Sequence, residues 1–392
     1  MSARELRIGV IGAGGRGNLA RHAHKPEDGV SVVAGADTRS EAFDRFRELY
    51  GDDAFTTTDY REILARDDIN AVFVTTPDFL HEEHGIAALE AGKPTYLEKP
   101  MAISVEGCDR ILETAARTGT KLYLGHNMRH MTFTLKMKEL IDAGAIGEVK
   151  AGWCRHFVCY GGDSYFKDWH AERRGSNTLL LQKGTHDIDI LHWLCGGYTK
   201  RTNAMGGLTL YDRVKDRHGQ DERGDGTWRL ENWPPLSQKG LNPIIEVEDL
   251  SMMLMELDNG VFCSYQQCHY TPDGWRNYTI IGTEGRIENF GDGPGNCVVR
   301  LWDKKEYYNP YGCEQFYMAP VQGGHGGADT KIVAEFVAYV RDETKPTTSP
   351  IAARASVAAG CMAAESLRNG GVPKDIPPLP PEAAKYFENY GA

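Results

Sequence analysis

The stretch Leu6-Arg7-Ile8-Gly9-Val10-Ile11-Gly12-Ala13-Gly14-Gly15-Arg16-Gly17 decides how the first third of this chain is read. Leu6–Ile11 is a short apolar run rich in branched residues and predicts a buried strand. Gly12, Gly14 and Gly17 then fall into G-x-G-x-x-G, and Arg16–His24 carries a helical pattern. Glycine is common here, 44 residues of 392, so the motif gains its weight from the strand before it and the helix after it. The first glycine permits a tight turn, the second a close approach of backbone to a pyrophosphate, and the third a tight helix–strand contact. Phosphates then meet a helix N-terminus, where free N–H groups and the dipole favour anions. About twenty residues further on, Asp37 ends the next predicted strand, where a carboxylate can accept from both ribose hydroxyls and repels a 2′-phosphate. The expected ligand is NAD rather than NADP, held by Gly12, Ala13, Gly14, Gly15, Arg16, Asp37, Thr38 and Arg39. Arg39 is the complication, because a guanidinium there could hold a 2′-phosphate.

Outward from this loop, strand signals at Val30–Ala36, Asn70–Thr75, Pro94–Leu97 and Lys121–Leu124 alternate with helical patterns at Ser40–Tyr50, Asp59–Ala65, Leu80–Ala91 and Ser104–Thr118. That alternation predicts an α/β, Rossmann-like, doubly wound parallel sheet. Beyond residue 126 the pattern changes. Helices at Thr134–Ala143 and Leu179–Cys195 flank a strand at Glu148–Tyr160. Strands then dominate at Thr202–Leu210, Ile244–Leu257, Val261–Tyr270, Asn277–Gly282 and Arg286–Phe290. The turn sequences Asp258-Asn259-Gly260 and Thr283-Glu284-Gly285 suit hairpins. A mostly antiparallel sheet in an α+β second domain is expected. The polar segment 211–242 reads as an insertion or lid. Helices at Lys331–Arg341 and Ala352–Asn369 lead to a Pro-rich strap, 373–381. The division predicted is 1–125 for nucleotide and 126–392 for substrate and oligomerisation, with 343–392 packing back on the first domain.

Composition excludes several classes. With 41% hydrophobic and 25% charged residues the chain can bury a core, so global disorder is excluded. No apolar run reaches the roughly 18 residues of a spanning helix. The net charge of −11 argues against nucleic-acid binding. Nine cysteines without a C-x-x-C pair predict free thiols in a reducing compartment and no metal site. The start, MSARELRIGVIG, has no signal-peptide pattern, so a cytoplasmic protein is expected. A broad sheet needs a cover on its second face, so a homodimer or homotetramer is expected.

Further motifs carry a resemblance. Val74-Thr75-Thr76-Pro77 is followed by Leu80-His81. Ala91-Gly92-Lys93-Pro94 leads to Glu98-Lys99-Pro100, and Lys183-Gly184-Thr185-His186-Asp187-Ile188-Asp189 stands further on. Together these resemble the glucose–fructose oxidoreductase/inositol dehydrogenase family, often called Gfo/Idh/MocA. The resemblance implies that Thr75, Thr76, Pro77 and His81 border the cofactor path. It implies Glu98 near the nicotinamide ribose, Lys99 at the reacting oxygen, and His186 as general acid/base. The family usually has an aspartate four residues before that histidine; here Gln182 stands there, and an amide cannot take a proton.

The residue chemistry agrees with these roles. Alcohol oxidation needs a group that takes a proton as hydride leaves carbon, and histidine titrates near 6.5. An ammonium beside the oxygen stabilises a developing alkoxide. Gln182, His186, Asp189 and Trp193 share a helical face. Asp187 and Lys183, four apart, have a surface ion pair as their plain reading. Asn127 is a candidate for substrate or nicotinamide contact. The loop Gly161–Ser176 offers Tyr165, Lys167, Trp169, His170 and Arg173 for a sugar, since rings stack on C–H faces and polar groups read hydroxyls. His325, in Gly323–Gly327, is a further substrate candidate. Between Lys167 and Lys183, the cations Lys167, His170, Arg173, Arg174 and Lys183 run against the acidic whole and predict an anionic sugar. The reading is an NAD-dependent oxidoreductase acting on a sugar, polyol or sugar derivative. The alternatives are an NAD-dependent glycosidase, working by transient oxidation, elimination, water addition and re-reduction, and a non-catalytic NAD sensor.

Overall fold

The computed structural model describes residues 5–388 apart from 221, 223, 294 and 343. Met1–Arg4 of the N-terminal stretch, and Asp221 and Arg223 of the segment 211–242, lie outside the described residues. Contacts divide the chain into two compact units. One comprises Met1–His130, Gly323–Arg354 and Pro378–Ala392; the other comprises Met131–Gln322 and Ala355–Pro377. This differs from the contiguous 126–392 read from the sequence: the return to the first unit starts earlier, at Gly323, and 355–377 stays with the second.

The first unit holds six parallel strands: β1 (Leu6–Ile11), β2 (Val30–Ala36), β3 (Phe55–Thr57), β4 (Ala71–Val74), β5 (Thr95–Leu97) and β6 (Leu122–Leu124). Their order is β3-β2-β1-β4-β5-β6. Direction of travel across the sheet reverses between β1 and β4, and ligands of such sheets bind outside the carboxyl ends at that switch point. Gly12 follows β1 and Thr75 follows β4, so the glycine loop sits at the reversal. Four helices, α1 (Glu41–Tyr50), α2 (Tyr60–Leu64), α3 (His81–Glu90) and α4 (Val105–Thr118), connect the strands. The Asp59 side chain caps α2 and Ser104 caps α4, while Gly119 ends α4 in the left-handed conformation. Gly15–His22 is a 3-10 helix rather than the α-helix expected, opened by the short-range bond from Gly17 N to Gly14 O at 2.8 Å. A glycine-rich start carries little α-helical preference of its own.

The second unit contributes α5 (Thr132–Asp142), β7 (Val149–Phe157), α6 (Gly161–Tyr165), α7 (Arg173–Ser176), α8 (Leu179–Gln182) and α9 (Gly184–Cys195). Then come β8 (Thr199–Gly207), β9 (Leu250–Leu257), β10 (Phe262–Cys268), β11 (Trp275–Gly282), β12 (Arg286–Phe290), β13 (Val298–Trp302) and β14 (Glu314–Tyr317). The late elements are α10 (Ala328–Asp342), α11 (Pro350–Arg368), β15 (Lys374–Asp375) and α12 (Pro381–Phe387). Of these α10 and α12 belong to the first unit, β15 to the second, and the division falls within α11. The nine-stranded order is β14-β13-β12-β11-β7-β10-β9-β8-β15, antiparallel except for β7 beside β10. Burial alternates along β7, β9 and β10, so one face is packed and the other presents Trp153, Met252, Leu254 and Phe262.

The single helix expected over Leu179–Cys195 is two, α8 and α9, broken at Lys183. Gly184 makes the approach to β10 possible: a Cβ there would lie 2.9 Å from the Tyr265 ring. The strand expected from Ile244 begins only at Leu250, because the Asp249 carboxylate accepts from the N–H groups of Thr209, Leu210 and Tyr211 and fixes an irregular loop instead. The base of the segment 211–242 is core rather than a free lid, with Tyr211, Val214 and Leu241 packed among Val158, Phe166 and Leu179.

In the first unit Phe336 of α10 meets Phe73, Tyr96 and Tyr123 at ring separations of 5.1, 5.6 and 5.7 Å, all buried. Burying one such aromatic is worth about 1.5–3 kcal/mol, so the returning helix completes this core. None of the nine cysteines is part of a disulfide. Among the described residues no helix is long and apolar enough to cross a membrane.

Candidate active site

In the first unit the glycine loop and the end of β2 lock together. Gly14 N donates to Asp37 Oδ2 at 2.8 Å, and Asp37 Oδ1 accepts from Arg39 N at 3.0 Å and Arg39 Nε at 3.3 Å. Arg39, with half its side chain exposed, is thus tethered to the carboxylate that it was expected to rival. Gly17 has no room for a side chain: a Cβ would stand 2.3 Å from Gly12 O. Thr75 Oγ1 donates to Gly12 O at 2.9 Å and ties the loops after β1 and β4. Ala13 and Gly15 lie in the same turn, while Thr38 is exposed.

His81 is buried, with Nδ1 2.6 Å from Pro100 O and Nε2 2.8 Å from Thr76 O. It joins the loops after β4 and β5, which makes it a brace for Thr76 and Pro77. Glu98 is 4% exposed and accepts from Lys99 N through Oε2 and from Arg16 Nε at 2.6 Å through Oε1. The other two nitrogens of Arg16 fork onto Asp329, both at 3.0 Å. Asp329 also accepts from Asn127 Nδ2 at 2.8 Å and lies 3.0 Å from His325 Nδ1. Burial opposes the charges here. Glu98 and Asp329 nevertheless hold the Arg16 guanidinium more firmly charged than usual, and His325 and Arg16 hold Asp329 well below the usual carboxylate range. His325 therefore belongs to a cluster beside the nucleotide loop, within the first unit. Asn127 Oδ1 is buried without a hydrogen-bond partner among the described residues. Asp329 was missed in the sequence; its signal was its place four residues after His325, inside the first turn of a helix.

In the second unit α8 and α9 carry Gln182 and His186, each 6% exposed. Asp187 is fully buried and makes no surface pair with Lys183. It accepts from Arg276 Nε at 2.8 Å, Tyr265 OH at 2.9 Å and Tyr278 OH, and lies 3.0 Å from His156 Nδ1. Asp292 takes the far side of Arg276 at 3.3 Å. Burial disfavours the Asp187 charge, yet Arg276 and His156 hold its carboxyl well below the ordinary range. Burial, then Arg276, pushes His156 down to about 3. Lys183 is partly buried, with Nζ over the rings of Tyr160 and Tyr165 at 5.5 and 5.7 Å. Burial, then Arg276, lowers it to about 7. His269 is fully buried, edge-on to Tyr165, with neither ring nitrogen partnered among the described residues. His156, His269, Arg276 and Asp292 were not singled out in the sequence, since they lie on separate strands that only the sheet brings together.

The cationic loop is neutralised locally. Lys167 pairs with Asp163 at 3.1 Å, His170 with Asp168 at 2.5 Å, Arg173 with Glu248 at 3.5 Å and Arg174 with Glu172 at 2.5 Å. Trp169 stacks on His170 at 3.6 Å, and Tyr165 meets His170 edge-on. Four of the five cations that predicted an anionic substrate thus have acidic partners.

Residues 6–126 match the oxidoreductase family with NAD-binding Rossmann fold, and residues 138–374 match the C-terminal α/β domain of the same family. The chain belongs to the Gfo/Idh/MocA oxidoreductase family. YteT of Bacillus subtilis, named as an oxidoreductase without a stated substrate, is 27% identical over 331 residues, covering 74% of this chain and 77% of YteT. Inositol 2-dehydrogenase of Klebsiella pneumoniae (strain 342) is 34% identical over 191 residues, covering 48% of this chain and 54% of that enzyme. The chain thus spans about half the length of that inositol dehydrogenase. Among solved structures, levoglucosan dehydrogenase with NADH and levoglucosan aligns at a TM-score of 0.77 and 21% identity, over 96% of this chain and all of that one. GenD2 from gentamicin A biosynthesis, in complex with NAD, aligns at 0.74 and 19%, over 96% and 98%. At such identities the Gfo/Idh/MocA architecture is what is shared.

Proposed function

We propose that this protein is an NAD-dependent dehydrogenase moving a hydride between NAD and a hydroxyl of a sugar, polyol or sugar derivative. The observation that carries this reading is the Gly14–Asp37 lock, which holds against the glycine turn the carboxylate that would receive the ribose. The fit to a dinucleotide is direct: Gly17 packs where any Cβ would collide, and Asn127 Oδ1 is a buried acceptor in want of a donor. Gly12–Arg16 would hold the pyrophosphate, Asp37 and Thr38 the adenosine ribose, and Thr75–Pro77, Glu98 and Asn127 the nicotinamide end. The nicotinamide supplies a two-electron hydride acceptor. Because Arg39 is tied to Asp37, NAD is preferred to NADP.

Lys99 stabilises charge developing on the reacting oxygen, and His186 takes and returns the hydroxyl proton, a task typically worth 10²–10⁴-fold. Relatives named for inositol, and a neighbour solved with levoglucosan, support a polyhydroxylated small molecule as substrate. The exposed sheet face bearing Met252, Leu254 and Phe262 supports a homodimer or homotetramer. Gln182 supports a second reading, redox-neutral glycoside cleavage with retained NAD. The test is nicotinamide absorbance with NAD⁺ across a panel of sugars, polyols and glycosides, with product analysis. Net NADH supports the dehydrogenase, cleavage without NADH supports the glycosidase, and neither with any compound refutes both.

A further inference from the structure

Among the described residues of the second unit, one cation near the proposed chemistry has no acidic partner. Lys167, His170, Arg173 and Arg174 are all paired. Among the described residues no carboxylate comes within ion-pairing distance of Lys183, whose Nζ rests on the faces of Tyr160 and Tyr165. Its place in the chain is equally particular. It occupies the break between α8 and α9, one residue after Gln182 and three before His186. Gln182 has no proton to exchange, so the helix lacks a titratable group at the position where the resemblance led one to expect a carboxylate.

We propose that Lys183 is the onward proton acceptor for His186, replacing the carboxylate that position 182 does not supply. The inference rests on the dehydrogenase reading above. In the oxidation direction the substrate O–H bond breaks and its proton joins the His186 imidazole. The C–O bond becomes C=O as the C–H bond breaks, and a bound nicotinamide would be the acceptor of that electron pair. The imidazolium then gives a proton to the neutral Lys183 amine, and the resulting ammonium loses it to solvent through its exposed side. Reduction runs the same transfers backwards. Lys183 caps the N-terminus of α9 with α-helical backbone angles, and His186 is the third residue of that helix, positions whose Cβ atoms lie about 5–6 Å apart on a helix.

The energetics suit a relay. An ordinary lysine, near 10.4 against 6.5 for histidine, would bind the proton about 10⁴ times more tightly than imidazole and trap it. At about 7, Lys183 holds it nearly as loosely as an unperturbed histidine does. The charged and titratable groups facing it come from every element around it. They are Asp187 on α9, Arg276 on β11, Asp292 after β12, His156 on β7 and His269 after β10. Tyr160 and Tyr165 close the remaining side. Arg276 is the one that works with burial against the ammonium; both histidines are themselves pushed towards neutrality and add no fixed charge.

The experiment has two arms on the full chain. Competitive labelling with acetic anhydride, read by peptide mass spectrometry, titrates the Lys183 amine directly; a midpoint near 7 is expected. Steady-state oxidation of the best panel substrate is then compared in wild type, Lys183→Met and Lys183→Arg. Both variants should lose kcat by about tenfold or more with KM within twofold, and added imidazole buffer should restore kcat in Lys183→Met while leaving wild type unchanged. A labelling midpoint near 10, an unchanged kcat in both variants, or a loss without buffer rescue overturns the relay. Absence of turnover in wild type with every compound overturns the dehydrogenase reading and the relay with it. Turnover with an ordinary lysine titration overturns the relay alone.

Discussion

Replacing Asp187 by alanine tests whether the second unit is organised around one buried charge. The carboxylate has no exposure and gathers Arg276, Tyr265 and Tyr278, with His156 at 3.0 Å. Its removal leaves the Arg276 guanidinium, only 11% exposed, with Asp292 at 3.3 Å as its remaining ion-pair partner. Breaking such a pair by removing one side costs about 3–5 kcal/mol. At roughly 2–4 °C per kcal/mol for a body of this size, the midpoint should fall by about 10 °C. Asp187→Asn keeps an acceptor and should fall less, and Tyr278→Phe, losing one donor, by about 1–2 kcal/mol. The pH dependence has a fixed sign. Asp187 is depressed in the folded state, so its contribution is full above the unfolded carboxylate range and is lost as pH falls. His156, lowered to about 3, takes a proton more readily when unfolded, so stability also declines from about pH 6.5 downward. Urea and thermal unfolding followed by circular dichroism, at several pH values, measure both effects. An alanine variant within about 1 kcal/mol of wild type, or a stability flat between pH 6.5 and 4, would refute the reasoning.

Other outcomes follow from the same geometry. Gly17→Ala forces a Cβ to 2.3 Å from Gly12 O, so NAD affinity by calorimetry should drop at least tenfold; unchanged binding would remove the loop from cofactor recognition. Asp37→Ala frees Arg39 and should narrow or reverse the preference for NAD over NADP, read as a ratio of Kd values; a wild type that already prefers NADP contradicts this turn. Lys99→Ala should lower kcat by about 10²-fold while NAD still binds, and near-normal turnover excludes it from the chemistry. Lys183→Met should flatten the rise in stability expected between pH 7 and about 10.5, where the unfolded chain holds a proton that the folded amine has released; an identical pH curve would mean that the amine is unperturbed.

The first unit was largely legible because its cues are local. Val30–Ala36 and Leu6–Ile11 coincide with the strands observed, and the glycine turn announces itself in six residues. Phe55–Thr57, three residues at the sheet edge, was too short to leave a period. The second unit was legible as a class only. That β7 pairs in parallel with β10 depends on contacts a hundred residues apart, and Val298–Trp302 and Glu314–Tyr317 were not anticipated. The site divides the same way. Gly12, Asp37 and Glu98 are local-motif residues that directly follow β1, β2 and β5, whereas Asp329 and Arg276 draw their meaning from partners supplied by distant segments. The charge count over 167–183 leaves out Glu246 and Glu248, which lie beyond it in sequence and contact Arg173.

The late helix carrying Phe336 and Asp329 has a consequence for synthesis. As the chain leaves the ribosome from its N-terminus, the six parallel strands are all available once residue 124 has emerged, yet Phe73, Tyr96 and Tyr123 still lack the ring that covers them. Arg16 and Asn127 likewise wait for Asp329. Roughly two hundred intervening residues must be made first, at about 5–20 per second. For some tens of seconds the nascent nucleotide unit therefore carries an open aromatic seam. A fragment ended near residue 130 keeps that seam permanently, which makes it a poor choice for isolated expression and a natural client for a chaperone.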